Sequence, residues 1–293
     1  MLVGTQGAGG KGYFVLDVTK PGSTDPTGVA SNFSAANAGT LVVTDTTDGA
    51  DADIGHIFVE PVVNEYNNQV STQIAQLNNG RWAVIMGNGY NSGNEDPVLL
   101  IQYLDGDRAL VKLPAATTGT EAAANGLSTP RLVDVNGDGT PDVVYAGDLR
   151  GNVWKFLISS SSSTGWGVAF AGTPLFTASY TSGAITKRQP ITTAPLVRVN
   201  SSVGGMMVAF GTGRNLIDAD AADTAQQSFY SVLDNTRYEI ESTGANKGKV
   251  KVATGAASDP VAGRTALVAR TFNATPITGT NASAGQDFWN MGT

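Results

Sequence analysis

Cysteine is absent from this chain of 293 residues, and histidine occurs once. The first absence rules out disulfides and thiol chemistry but neither requires nor forbids export. Together the two make zinc, which draws mainly on Cys and His, a poor fit for this chain's acidic loops. Charge is sparse as well: 18 Lys and Arg stand against 25 Asp and Glu, a net −7. Nucleic-acid binding needs a basic stripe, so this acidic balance argues against it. No apolar run reaches the roughly 18 residues a membrane span needs. Residues 1–10, MLVGTQGAGG, lack the basic start and long apolar core of a signal peptide. They read as the middle of a strand and its turn. The chain is therefore expected to be a piece of a longer protein, with Met1 not its natural start. Sustained helical periodicity is missing too.

Glycine is plentiful, with 36 residues set between short β-branched and aromatic runs. WAVIM (82–86), DVVYA (142–146) and MMVAF (206–210), each followed by Gly, carry the strand-and-turn signature. They belong to a weak repeat of Pro, strand, turn, strand ending in Gly, and polar hairpin. One copy runs through 60–66, 81–93 and 97–107, the next through 129–135, 142–152 and 153–159, and a third through 194–200, 204–216 and 227–235. Pro61, Pro130 and Pro195 mark a period of about 65 residues, and 2–20 match the second half of a unit. Four strands per unit, radially repeated, predict an all-β chain built as a β-propeller. A sandwich would leave the repeat unexplained. Residues 22–53, 114–125 and Ser159–Ser163 read as polar insertions. Weak strands are expected at 248–253 and 265–272. Blades are thus assigned to 1–235, with 236–293 a β-rich segment completing or flanking them.

The most informative stretch is LSTPRLVDVNGDGTPDVVYAGDLRGNVWKF (127–156). Within it Asp134, Asn136, Asp138 and Asp142 stand as D-x-N-x-D-x-x-x-D between strand-like runs. Alternate side chains can face one concavity, Gly137 and Gly139 permit left-handed turns, and Thr140 sits where a backbone carbonyl usually serves. An all-oxygen set of this size suits Ca²⁺, with six to eight ligands in flexible geometry. Mg²⁺ demands a stricter octahedron. The competing reading is an Asp/Asn/Gly turn with no ion. Asp148, in the next turn, reads as a turn-capping carboxylate, with a cation role as the alternative.

Other candidates have plainer readings. His56, in DIGHIFVEP, has no nucleophile pattern nearby and reads as structural. GTQGAGGKG lacks the ending of a phosphate loop, so its glycines are assigned to a hairpin. Asp45, Asp48, Asp51 and Asp53 read as a solvated acidic loop, with a second cation site as the alternative. Asp105 and Asp107 belong to a hairpin turn. Trp82, Trp154, Phe156, Phe210, Phe229 and Tyr230 are expected in the core. Arg188 and Arg214 are expected to bond loop carbonyls.

GTQGAGGKGYFVLDVT, WAVIMGNGYNSG, the 127–156 stretch, RQPITTAP, FGTGRNL and QSFYSVLDN occur in that order. This combination resembles the C-terminal propeller domain of the PilC/PilY family of type IV pilus tip-associated proteins, over roughly residues 2–236. The resemblance implies a modified, quinoprotein-like β-propeller of four-stranded antiparallel blades, here a partial one. It implies Ca²⁺ at Asp134, Asn136, Asp138, Thr140 and Asp142. It further implies a non-enzymatic role in pilus biogenesis (extension against retraction), surface adhesion and twitching motility. The implied partners are pilus subunits, major or minor pilins, and host or abiotic surfaces. The implied location is exported: cell surface, pilus or outer membrane. The alternative is a dehydrogenase propeller using pyrroloquinoline quinone and Ca²⁺. Four Trp without a repeated docking pattern, and no Cys, count against it. Integrin-like binding propellers repeat their Asp-rich loops, whereas the complete loop occurs once here.

Overall fold

A computed structural model describes residues 1–19, 34–58, 62–63, 71–116, 124–270 and 287–292. Its strands fall into four main sheets. The first holds β1 (Leu2–Thr5), β2 (Tyr13–Leu16) and β3 (Val42–Asp45). The second is the meander β4 (Ile74–Gln76), β5 (Trp82–Gly87), β6 (Val98–Tyr103) and β7 (Leu110–Pro114). The third is built on β8 (Arg131–Val133), β9 (Val143–Gly147) and β10 (Asn152–Leu157), with β11 (Gly167–Val168) and β12 (Phe176–Thr177) both pairing β10. A separate hairpin, β13 (Ser179–Ser182) and β14 (Ile185–Arg188), leads into the fourth sheet. That sheet starts with β15 (Leu196–Val199), β16 (Met206–Gly211) and β17 (Gln227–Asp234). A second hairpin, β18 (Tyr238–Ile240) and β19 (Val250–Val252), follows. The chain then returns through β20 (Val268–Arg270) and β21 (Asp287–Gly292), giving the order β15-β16-β17-β21-β20. Only the β20–β21 pairing in that sheet is parallel.

The apolar runs follow from how the sheets stack. Successive side chains of a strand point to opposite faces. On β5, Val84 and Met86 join Tyr13, Val15 and Val43 of the first sheet. Ala83 and Ile85 join Val144, Ala146, Trp154 and Phe156 of the third. On β9, Val143 and Tyr145 turn the other way, onto Val197, Val208, Phe210, Tyr230 and Val232 of the fourth. The two middle sheets are therefore covered on both faces, and every residue of β6 and β9 is buried. In the fourth sheet, β17 buries one face among the described residues. QSFYSVLD alternates half-buried and buried along its length, with Ser228, Tyr230, Val232 and Asp234 inward.

Several expectations are corrected. Four strands per sheet holds for the second sheet, while among the described residues the others have three, five and five. Residues 22–53, read as an insertion, contribute β3, because Val42–Asp45 supplies the backbone pairing that β2 needs on its second edge. The first strand of the second sheet is IAQ rather than 60–66. Val63 makes only a bridge to Ser71, and 60–61 and 64–66 lie outside the described residues. Trp82 is 49% exposed instead of in the core, since it sits at the outer end of β5, where the tight turn enters. Phe229 is half-buried on the outer face of β17, opposite Tyr230.

Candidate metal centre and its surroundings

Val133 pairs with Val143, so residues 134–142 form the closed end of the β8–β9 hairpin. Gly137 and Gly139 have φ of 78° and 89°. A Cβ at either would meet nothing within 4 Å, so the left-handed backbone alone calls for glycine. Asp134 organises the bend: its Oδ1 accepts from the amide of Gly137 at 2.7 Å and its Oδ2 from that of Gly139 at 2.7 Å. Asn136 Oδ1 accepts from the Asp138 amide at 3.1 Å, and its Nδ2 donates to Asp138 Oδ2 at 3.1 Å. Asp138 Oδ1 in turn accepts from the Thr140 amide at 2.8 Å and lies 2.6 Å from its hydroxyl.

Asp134, Asn136 and Asp138 are exposed and Thr140 is half-buried, but Asp142 is fully buried. Its Oδ2 accepts from the Val135 amide at 2.9 Å and its Oδ1 from Asn78 Nδ2 at 3.2 Å. Burial lifts the Asp142 pKa above the ordinary carboxylate range, and the charges of Asp138 and Asp134 push the same way. For Asp138, burial raises the pKa, but Thr140, Asn136 and the positive field of Lys249 outweigh it and the net direction is down. The loop thus gathers three carboxylates whose mutual repulsion already reaches the buried one.

The donor chemistry fits a hard cation, because every loop donor is an oxygen. The carboxylates face the loop's own amides, and among the described residues no three His, Cys, Asp or Glu side chains are arranged to hold a metal ion. Each carboxylate keeps lone pairs beyond those its amide bonds use, which a cation could engage.

Asn78, in the β4–β5 turn, was not singled out from sequence. Its Nδ2 reaches the Pro141 carbonyl at 2.9 Å as well as Asp142, and its Oδ1 accepts from the Thr140 hydroxyl at 3.1 Å. It ties the second sheet to the loop of the third. An Asn in a glycine turn is too common for sequence to mark it.

A family model described as the PilY1 β-propeller domain matches residues 1–258. The chain belongs to that family. Its relatives include the type IV pilus biogenesis factor PilY1 of Pseudomonas aeruginosa (strain UCBPP-PA14), 34% identical over 294 residues, covering 93% of this chain and 21% of the relative. A PilY1 homolog of Xylella fastidiosa (strain Temecula1 / ATCC 700964) is 34% identical over 247 residues, covering 80% of this chain and 15% of the relative. The chain therefore spans about a fifth or less of these proteins. The crystal structure of the Pseudomonas aeruginosa PilY1 C-terminal domain matches with a TM-score of 0.69 and 28% identity, covering 99% of this chain and 58% of that one.

Within this PilY1-type propeller, Asp148 caps its turn as expected and does more. Its Oδ1 accepts from the amides of Arg150 and Asn152, and its Oδ2 from Asn125 Nδ2 (2.8 Å), Asn152 Nδ2 (2.9 Å) and the Trp154 indole (2.7 Å). The D-x-x-x-N-x-W spacing is the signal that would have found it. Burial pushes its pKa up against those donors. The acidic stretch is dispersed. Asp45 bonds Thr47 and Asp48 bonds the Ala50 amide, while Asp51 and Asp53 flank the Lys112 ammonium at 2.6 and 2.8 Å. Asp105 and Asp107, at the β6–β7 turn, both pair with Arg81. Arg188 meets the side-chain oxygen of Asn152 at 3.2 Å. Arg214 departs from expectation: it pairs through Nε with the Asp220 carboxylate at 2.8 Å, because that carboxylate also caps the Leu216 and Ile217 amides beside it. His56 Nδ1 donates to the Gly7 carbonyl at 2.9 Å, and its backbone bridges Tyr90.

Proposed function

We propose that this chain is a calcium-binding, non-enzymatic module of a type IV pilus tip-associated protein. On this reading it supports pilus biogenesis, balancing extension against retraction, and with it surface adhesion and twitching motility. Its partners are major or minor pilins, and through the whole protein host or abiotic surfaces. Its place is outside the cytoplasm, at the pilus, cell surface or outer membrane. The observation that supports the reading is the match of residues 1–258 to the PilY1 β-propeller family, together with the oxygen-bearing side chains of Asp134, Asn136, Asp138 and Asp142 set in one hairpin end.

Asp134, Asn136, Asp138 and Asp142 would hold the ion through side-chain oxygens and Thr140 through its carbonyl, as hard donors do. Bound Ca²⁺ supplies positive charge that cancels their repulsion. Asn78 would then carry the ordering of the loop into the second sheet, since it bonds both the loop backbone and Asp142. Binding to the folded chain alone contributes RT ln(1 + [L]/Kd), about 2.7 kcal/mol at 100-fold saturation. Isothermal titration of Ca²⁺ into the wild type and Asp138→Ala tests the assignment. Heat is expected from the wild type and little from the variant. Equal heats would remove the site from this loop.

A further inference from the structure

A cavity of about 490 Å³ opens where connections from all four sheets meet. Phe58 follows β3, Tyr90 and Glu95 lie between β5 and β6, Asn125 precedes β8, and Arg214 and Asp220 lie between β16 and β17. Its volume lies in the range of small-molecule sites. The floor is rigid. A Cβ on Gly89 would come within 2.1 Å of the His56 carbonyl, and one on Gly126 within 2.0 Å of the Gly89 carbonyl, so three backbone segments touch directly.

The rim is strained. Asn91, Glu95 and Ala124 all line it, with φ of 57°, 55° and 50°. Left-handed backbone at Glu and Ala carries an energetic cost and clusters at binding sites.

Charge selects the ligand. Among the described residues, the one Lys or Arg on the wall, Arg214, is already paired with Asp220. The Glu95 carboxylate is exposed and makes no hydrogen bond or ion pair with described residues, since only its backbone is engaged. The Gly7 carbonyl can only accept, so His56 carries its proton on Nδ1 and its Nε2 is left as an acceptor when the ring is neutral. The Phe58 and Tyr90 rings lie 6.1 Å apart and 30° inclined, with Phe58 41% exposed. Their faces attract cations. The buried Asp148 carboxylate extends its negative field to Tyr90.

We propose that this cavity binds an organic cation, an amine or guanidinium on an apolar stem, with Glu95 as the counterion and Phe58 and Tyr90 as the wall. The same chemistry is offered by a free amine and by a Lys or Arg side chain of a peptide. The test titrates benzylamine, benzyl alcohol, phenylacetate and N-acetyl-arginine amide into the ¹⁵N-labelled chain, following amide shifts. Benzylamine is expected to shift Tyr90, Asn91, Glu95 and Asn125, and to bind about tenfold more tightly than benzyl alcohol, as a charge-assisted hydrogen bond warrants. Glu95→Gln is expected to remove that preference with an unchanged melting midpoint. N-acetyl-arginine amide binding as well as benzylamine assigns a peptide side chain; benzylamine alone assigns a free amine. Failure of both cations to bind, equal or tighter binding of phenylacetate, an unaltered preference in Glu95→Gln, or shifts confined to other residues would each overturn the proposal.

Discussion

Replacing Lys155 by Met tests how the third and fourth sheets are joined. Lys155 on β10 and Asp234 at the end of β17 meet at 2.6 Å, each 1% exposed. Asp234 also accepts the Tyr145 hydroxyl at 2.6 Å, the Thr236 amide at 3.0 Å and the Thr236 hydroxyl at 2.6 Å. The ammonium lies over the rings of Phe170 and Tyr238 at 4.8 and 5.3 Å. Burial lowers the Lys155 pKa, while Asp234 opposes the shift. For Asp234 burial acts upward, yet Lys155 and the hydroxyl donors hold the carboxyl below its ordinary value. Met keeps the stem and removes the charge, leaving a carboxylate in the interior. Breaking such a pair costs about 3–5 kcal/mol, and the three remaining hydrogen bonds place this site near 3. Urea denaturation followed by tryptophan fluorescence measures the loss. In a cycle with Asp234→Asn, the double variant should lose less than the two singles together by about 2 kcal/mol. The pH slopes should oppose each other. In the wild type, the depressed Asp234 pKa gives stability that is present above its unfolded value and lost as pH falls through the folded one. In Lys155→Met that pKa is raised, so this carboxyl adds stability as acid neutralises it. A cost below about 1 kcal/mol, the level of an exposed pair, or matching slopes would refute the reasoning.

Three further outcomes are expected. Asp148→Asn turns an amide toward the donors on Oδ2, losing two or more hydrogen bonds; a loss of about 2–4 kcal/mol is expected in chemical denaturation. Gly139→Ala strains a φ of 89° without any clash, so thermal melting should show a loss of about 1–2 kcal/mol, with weaker calcium heats by titration. In chelator, Asp142 contributes stability that is fully present below the unfolded Asp pKa and lost as pH rises through its raised folded value; melting should record Asp142→Asn flattening that slope.

Much of the fold was legible because period two survives in the sequence. VVYAG and VLLI run apolar without a break, and both faces of their sheets prove to be covered. QSFYSVLD alternates, and that strand buries one of its faces. The third sheet's first three strands fall where the repeat placed them. The weak strands expected in the tail appear as β19 and β20. What pattern could not show was long-range pairing. VVTD looks like part of a polar loop until β2 needs a neighbour, and β21 joins β17 across more than 50 residues. The hairpin end at 134–142 was legible as a bend from its glycines and acids. Asn78, 62–64 residues distant from its partners there, was not, and neither was Lys112, whose contacts with Asp51 and Asp53 depend on β7 lying beside that loop.

Lys112 makes the two acidic regions of the molecule unlike in one respect. At Asp51 and Asp53 the neutralising charge is tethered by a covalent side chain. No chelator strips it, and added salt screens this partly exposed cluster without removing its cation. The seam between the first two sheets therefore keeps its own counter-charge when divalent ions are withdrawn.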